Sequence, residues 1–181
     1  MGHARIVSID PGSRKTGFAV LEIDRQTGEL FVVDAWTLDV DRVAERNHQY
    51  MIEVHGIEAT RQWVLQDSLW RILEAWKPFV VCCESPYMGD FVATFKRLTE
   101  ALAAYRTATL RYDIAMPFIM IEPSTAKKSL GVPGNSPDKG LVREAVREHP
   151  TLCKFIDLDL LDEHSVDAIL IGYCHYKSCH A

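Results

Sequence analysis

No apolar run in this chain approaches the length of a membrane-spanning helix, and the N-terminus lacks the pattern of a secretory signal. A helical membrane protein and an exported one are therefore not expected. Basic residues are in deficit: 20 Lys and Arg stand against 25 Asp and Glu, a formal net charge of -5. Domains that grip nucleic acid through overall charge are basic, so that mode is excluded, whereas a local basic rim around an acidic centre is not. The five cysteines are an odd count without an export signal, which speaks against a disulfide framework and for a reducing, cytoplasmic compartment. Internal repeats and low-complexity tracts are absent, which removes solenoids and disordered linkers. What remains is an ordinary globular composition, 48% hydrophobic and 25% charged over 181 residues, read as a single domain spanning 1–181.

The cysteines themselves invite one metal reading. The tail "CHYKSCH" brings together Cys174, His175, Cys179 and His180, but this spacing matches none of the usual paired zinc-ligand patterns. A helix end with incidental thiols is expected there, and Cys82 and Cys83 are expected as small buried hydrophobes in a strand.

Strand signals dominate the first forty residues. "ARIVSID" and "GFAVLEI" flank a turn at Pro11-Gly12-Ser13, and "ELFVVDAWTLDV" follows the hairpin signal "DRQTGE". Three antiparallel strands are thus predicted. Residues Val40 to Gly56 are polar and mixed, and read as a loop with some helix. Leu65, Leu69, Ile72, Leu73 and Trp76 then mark one face of a helix over 57–76 that Lys77-Pro78 stops. "FVVCCE" is a continuous apolar run of the buried-parallel-strand kind and ends in Glu84. A second helix is predicted over Asp90–Tyr112, with Phe91, Phe95, Leu98, Leu102 and Tyr105 in a stripe beside Ala101, Ala104 and Ala108. "MPFIMIEP" reads as another short strand, "STAKKSLGVPGNSPDKG" as a loop, and "LVREAVREH" as a short helix. The last helix is predicted from Asp162 to about Lys177. The order βββ-α-β-α-β-α-α makes this an α/β chain, with carboxylates at the ends of strands one and four and at the start of the last helix.

That placement matters because ligands of open α/β sheets bind beyond the carboxyl ends of the strands. Taken singly, Asp10 before Pro-Gly reads as a turn residue, Glu84 as a solvent-facing strand end, and His164 and Asp167 as dipole compensation at a helix start. Taken together, converging acids repel one another unless a divalent cation lies between them. Magnesium suits such a set, and two ions about 3.5–4 Å apart can activate water and stabilise the leaving oxygen of a phosphodiester.

Four stretches carry a family resemblance. "IVSIDPGSRKTGFAVLE", "VCCESPY", "GNSPDKGLV" and "HSVDAILIGYCHY" together resemble the motifs of the RuvC family of Holliday junction resolvases, within the ribonuclease H and retroviral integrase superfamily. The resemblance implies a ribonuclease H-like fold: a five-stranded mixed sheet, its first three strands antiparallel, flanked by helices. It implies that Asp10, Glu84, His164 and Asp167 form the metal-binding catalytic set, with His164 where many members have Asp. It implies Mg²⁺, replaceable by Mn²⁺, as two ions per site. Tyr87 matches an aromatic that engages a base near the junction centre, and Lys127 and Lys139 fall where the family has phosphate-contacting lysines. Lys139 is expected to neutralise charge developing in the reaction.

The implied activity is resolution of four-way DNA by paired nicks that leave 5′-phosphate and 3′-hydroxyl ends. A four-way junction has near two-fold symmetry, so a homodimer is expected, with the helix over Asp90–Tyr112 as its candidate interface or, on pattern alone, as core. Arg14, Lys15, Lys96, Arg97, Arg106, Arg111, Lys127, Lys128, Lys139 and Arg143 are candidates for a basic ring around the acids. Residues 40–56 match no family motif and suggest a divergent, bacteriophage-type member acting in a bacterial cell or an infected host. A branch-migration helicase partner is left open. The rival readings are a ribonuclease H-like nuclease of other branched DNA or RNA hybrids, an inactive nucleic-acid-binding member, and an actin-like ATPase. The last lacks a second glycine-rich phosphate hairpin here.

Overall fold

Alternation along the first strand sorts the molecule into layers, because successive side chains of a strand point to opposite faces. Ile6 of β1 (Ala4–Asp10) faces one core while Val7 and Ile9 face another. This is a computed structural model, and it describes residues 4–86, 92–136 and 138–180, the side chain of Lys139 excepted.

β1 pairs antiparallel with β2 (Lys15–Ile23), and β2 with β3 (Leu30–Asp39). β4 (Val80–Glu84) runs parallel to β1 on its other side, and β5 (Phe118–Ile121) parallel to β4. The sheet order is β3-β2-β1-β4-β5, a five-stranded mixed sheet whose first three strands are antiparallel. The "DRQTGE" hairpin forms as expected, with Gly28 at φ 74°.

One face of the sheet is covered by α2 (Gln49–Trp76) and α3 (Val92–Tyr112), which bury Leu65, Leu69 and Leu73 and, from α3, Leu102, Tyr105 and Ala108 against Val7, Ile9, Phe18 and Val81. The other face carries α6 (Glu163–His180), whose Val166, Ile169, Leu170 and Tyr173 pack on Ile6, Leu21 and Cys82 together with α5 (Lys139–Glu148). A 3-10 turn at Leu158–Leu160 leads into α6.

Two segments differ from the expectation. Residues 40–56 are helical rather than a loop: α1 (Val40–Asn47) starts at once after β3, and α2 begins at Gln49. The cause is local. The Asp39 carboxylate accepts the Arg42 N–H at 3.0 Å as N-cap, and Val40 and Ala44, one turn apart, are buried. Three apolar positions in eight, Val40, Val43 and Ala44, are too short a pattern to announce a helix. Within α2 the backbone leaves helical values at Gly56 (φ 82°, ψ 164°), which bends the helix.

The stretch expected as a loop after β5 also begins with a helix, α4 (Pro123–Ser129), because Pro123 occupies a first-turn position where its missing N–H costs nothing. At the tail, α6 runs to His180, three residues beyond the predicted end. Cys179 Sγ lies 3.8 Å from His175 Nε2, Cys174 is buried, and Cys82 and Cys83 are fully buried in β4. Of the predicted α3 stripe, Leu102 and Tyr105 are core while Phe95 and Leu98 are half-buried; Asp90 and Phe91 lie outside the described residues.

Candidate active site

Asp10 is the last residue of β1 and pairs with Gly17 of β2. On the other flank β1 runs parallel to β4 with Ile9 beside Cys83, so Asp10 and Glu84, one residue further, leave neighbouring strands side by side at the usual spacing of about 4.8 Å. Both occupy the α6 side of the sheet, because Ile6 and Cys82, an even number of residues before each, belong to the core under α6. Two carboxylates thus share one face at the carboxyl edge. Their joint field reaches Cys83, whose thiol is pushed far above its ordinary range by burial first and then by Asp10 and Glu84.

The N-terminal turn of α6 crosses this edge closely. A Cβ added to Gly17 would stand 2.0 Å from the His164 carbonyl oxygen, so only glycine at 17 permits the crossing. Two strands then bond to the helix and its cap. The Ser8 hydroxyl of β1 donates to the Ala168 carbonyl at 2.7 Å. Thr37 of β3, which pairs with Gly17, donates its hydroxyl to the Asp162 carboxylate at 2.5 Å. That carboxylate also accepts the Ser165 N–H at 3.1 Å and the Ser165 hydroxyl at 2.9 Å, capping α6. Burial alone would raise the pKa of Asp162; these hydrogen bonds outweigh it and hold the group below the usual carboxylate range.

So fixed, α6 presents His164 to Asp10. The ring Nδ1 and the Asp10 Oδ2 are 2.8 Å apart, with side-chain exposures of 28% and 16%. The hydrogen bond to Asp10 raises the His164 pKa above its ordinary value; burial opposes it, and the charges of Asp10, Asp162 and Glu163 assist it. Asp167, half-buried, stands three residues on, immediately before the Ala168 that Ser8 holds. Among the described residues, no three His, Cys, Asp or Glu side chains are gathered as ligands around a common point. The donor set nevertheless fits a hard divalent cation: carboxylate oxygens with one imidazole nitrogen, at an edge where two negative charges act on the same buried thiol.

The basic candidates are more dispersed. Arg14 Nε lies 3.7 Å from the Asp41 carboxylate, which Arg61 also engages at 2.6 Å. Lys15 is exposed at the start of β2, opposite Asp39. Lys127 donates to the Ser136 carbonyl at 2.7 Å and so braces the segment after α4. Lys127 and Lys128 lie in the last turn of α4, where the next residue, Ser129, receives Lys177 from the far end of α6. Lys139 opens α5, capped by the Asp138 carboxylate accepting from Gly140 N–H at 2.8 Å. Tyr87 lies outside the described residues. Arg143 does not reach toward the acids: its guanidinium donates to the carbonyls of Leu158 and Leu161 at 2.7 and 2.8 Å. Arg106 and Arg111 lie over the rings of Phe118 and Trp70, and Lys96 is 3.8 Å from Glu100.

Sequence reasoning missed Ser8, Thr37, Asp162 and Ser165. Asp162-x-x-Ser165 ahead of an apolar run is a helix-start pattern and was a usable signal for the last two. Nothing in the sequence links Thr37 to a residue 125 positions away.

No protein-family profile matches the chain. A relative from Salinibacter ruber, named crossover junction endodeoxyribonuclease RuvC, is 27% identical over 175 residues, 94% of this chain and 83% of that protein. A protein of the same name from Mesorhizobium japonicum is 28% identical over 179 residues, 97% of this chain and 91% of its own. In structure the chain is similar to T. thermophilus RuvC, solved in complex with Holliday junction substrate, with a TM-score of 0.71. That alignment covers 97% of this chain and 95% of the other at 16% identity, a likeness of fold. The chain is thus similar along nearly its whole length in sequence to proteins named crossover junction endodeoxyribonuclease RuvC, and alike in fold to one of that name.

Proposed function

We propose that this chain is a structure-selective, metal-dependent DNA endonuclease that resolves four-way junctions by paired symmetrical nicks. The observation that carries the reading is the Asp10–His164 pair, 2.8 Å apart at the carboxyl edge of the sheet beside Glu84, in a chain that resembles crossover junction endodeoxyribonucleases end to end. Asp10, Glu84, His164 and Asp167 would hold Mg²⁺, or Mn²⁺ in its place, as two ions. When bound, such ions supply Lewis-acid charge to the phosphodiester and lower the pKa of the attacking water.

The chain's own groups do the rest. With Nδ1 donating to Asp10, the neutral ring of His164 keeps the Nε2 lone pair as the donor atom it would offer a cation. Cleavage that leaves a 5′-phosphate breaks the bond from phosphorus to O3′, and negative charge develops on that oxygen. Lys139, at the start of α5, is the residue we assign to neutralise it. Tyr87 stacks on a base of the splayed strand, and Arg14, Lys15, Lys127 and Lys128 contact phosphates. Two copies related by a two-fold axis match the junction's symmetry, so the acting species is a homodimer. Its candidate face is the N-terminal part of α3, where Val92 is 75% exposed and Phe95 and Leu98 are half-buried. The enzyme works in a bacterial cytoplasm or that of an infected host.

The test is strand-by-strand mapping of cuts on four-way, flap, linear and RNA-hybrid substrates with and without Mg²⁺. Paired symmetrical incisions confined to the four-way DNA and dependent on Mg²⁺ are expected. Equal cutting of RNA hybrids would replace this reading by a ribonuclease H-like one.

A further inference from the structure

The turn between Asp10 and β2 is held by a hydroxyl. Thr16, fully buried, donates its proton to the Gly12 carbonyl at 2.7 Å and accepts the Gly12 N–H at 3.2 Å. The turn closes tightly enough that a Cβ on Gly12 would stand 1.8 Å from the Lys15 carbonyl oxygen. A threonine hydroxyl has one proton and two lone pairs, and Gly12 occupies the proton and one pair. The remaining pair meets the Tyr105 hydroxyl at 2.8 Å, so the proton in that bond comes from Tyr105.

Tyr105 belongs to α3 and is 0% exposed, its ring edge-on to Phe18 at 6.1 Å. Burial keeps its phenol protonated far above the ordinary range, so it serves as a permanent donor. Among the described residues, this is the one side-chain hydrogen bond between α3 and the sheet. Phenylalanine would fill the same apolar site without requiring a partner, since replacing both members of a buried pair by apolar groups is often nearly neutral. Packing therefore gives no reason for the hydroxyl. Its reach does: one atom beyond it is the turn that sets how the chain leaves Asp10.

We propose that Tyr105 is a positioning residue of the active site, its hydroxyl acting through Thr16 and the Gly12 turn to hold the Asp10 carboxylate where it can take a divalent cation. The proposal rests on the reading of Asp10 as a metal ligand. Asp10 is then bracketed on both sides of its backbone, by the Gly17 pairing within the sheet and by the Thr16–Tyr105 strut behind the turn. The strut also ties the placement of α3 to the acidic edge.

The experiment compares wild type with Tyr105→Phe, Thr16→Val and Thr16→Ser in the full chain. Mn²⁺ binding is measured by calorimetry without DNA, cleavage of four-way DNA is followed against Mn²⁺ concentration, and metal-free junction binding is measured alongside. Tyr105→Phe and Thr16→Val are expected to weaken Mn²⁺ binding roughly tenfold, the scale on which outer partners of metal ligands act. The Mn²⁺ needed for half-maximal cleavage rises by the same factor, while the rate at saturating Mn²⁺ and the metal-free junction affinity stay near wild type. Thr16→Ser keeps the hydroxyl and retains wild-type Mn²⁺ affinity. Should Tyr105→Phe fail to fold, the Thr16 pair carries the comparison. Folded variants that bind Mn²⁺ as wild type does overturn the proposal, as does a loss of junction affinity in step with Mn²⁺ affinity. A wild-type chain that neither binds Mn²⁺ nor cuts would bring down the resolvase reading itself, a different result from an active wild type with indifferent variants.

Discussion

The two faces of the sheet hold their helices by different means. On one, α2 and α3 lie on Val7, Ile9, Phe18, Val20 and Val81, an apolar contact crossed among the described residues by the Thr16–Tyr105 bond and, at the far end of α2, by the Arg5 guanidinium donating to the Trp76 carbonyl at 3.1 Å. On the other, α6 is bonded as well as buried, through Ser8 to Ala168, Thr37 to Asp162 and Asp10 to His164. Apolar burial has no direction, whereas a hydrogen bond fails within a few tenths of an ångström or a few tens of degrees. The first face therefore supplies stability above all, with direction only at those two points. The second supplies register: turning α6 by one residue, about 100°, would break all three bonds and carry His164 and Asp167 off the acidic edge.

The sharpest way to break that comparison is Asp10→Asn. The amide still accepts from His164 but no longer offers a charge, so the fold and metal-free junction binding should persist while cleavage falls on the order of 10⁴-fold. Cleavage mapping together with circular dichroism checks both halves. Unfolding in place of inactivity would mean that the pair is chiefly structural.

Next in size is Leu69→Ala, on the face without register. Leu69 is fully buried in α2, and its truncation should cost about 2–5 kcal/mol in chemical denaturation. Per folded molecule, Mn²⁺ affinity and cleavage should stay as in wild type. Ser8→Ala, on the bonded face, should do the reverse. It removes one buried hydrogen bond, about 1 kcal/mol, yet loosens the register of α6 and should lower cleavage about tenfold. If the two variants lose activity in proportion to stability, the distinction between the faces disappears.

The same division explains what the sequence could and could not disclose. Apolar layers leave a periodic trace, so β1, β2, β3, the buried run of β4 and the helices carrying Leu69, Tyr105 and Ile169 were all legible. The carboxylates were legible because strand ends are, and Asp10 and Glu84 close theirs. Directional bonds leave no such trace. Thr16 and Tyr105 are 89 positions apart, Thr37 and Asp162 125, Ser8 and Ala168 160, and no local pattern pairs them. The helix α1 escaped for a related reason, since its start depends on one cap at Asp39 and its core face on Val40 and Ala44. In α4, Pro123 reads as closing a strand and Ser124 as opening a loop, where Pro123 in fact opens the helix. The bond from Lys127 to the Ser136 carbonyl, too, could not be foreseen from the residues around it.

The smallest effect lies on the bonded face, away from the acids, and concerns pH. His149 follows α5 with its ring edge-on to Tyr173 of α6 at 4.9 Å. Burial, and then the Lys177 ammonium, lower its pKa from 6.5. Well above pH 6.5 the ring is neutral in both folded and unfolded chains and makes no difference. As pH falls below that value the unfolded chain takes up a proton that the folded one resists, so stability declines until the folded ring also protonates. His149→Asn keeps an acceptor for the Thr151 N–H but cannot titrate. Its thermal midpoint should therefore fall less on acidification than that of wild type, by about 2 °C between pH 7 and pH 5. A packing contact without charge would give parallel curves, whereas a shallower curve for the variant would show that even the far end of α6 is held by chemistry that has a preferred state.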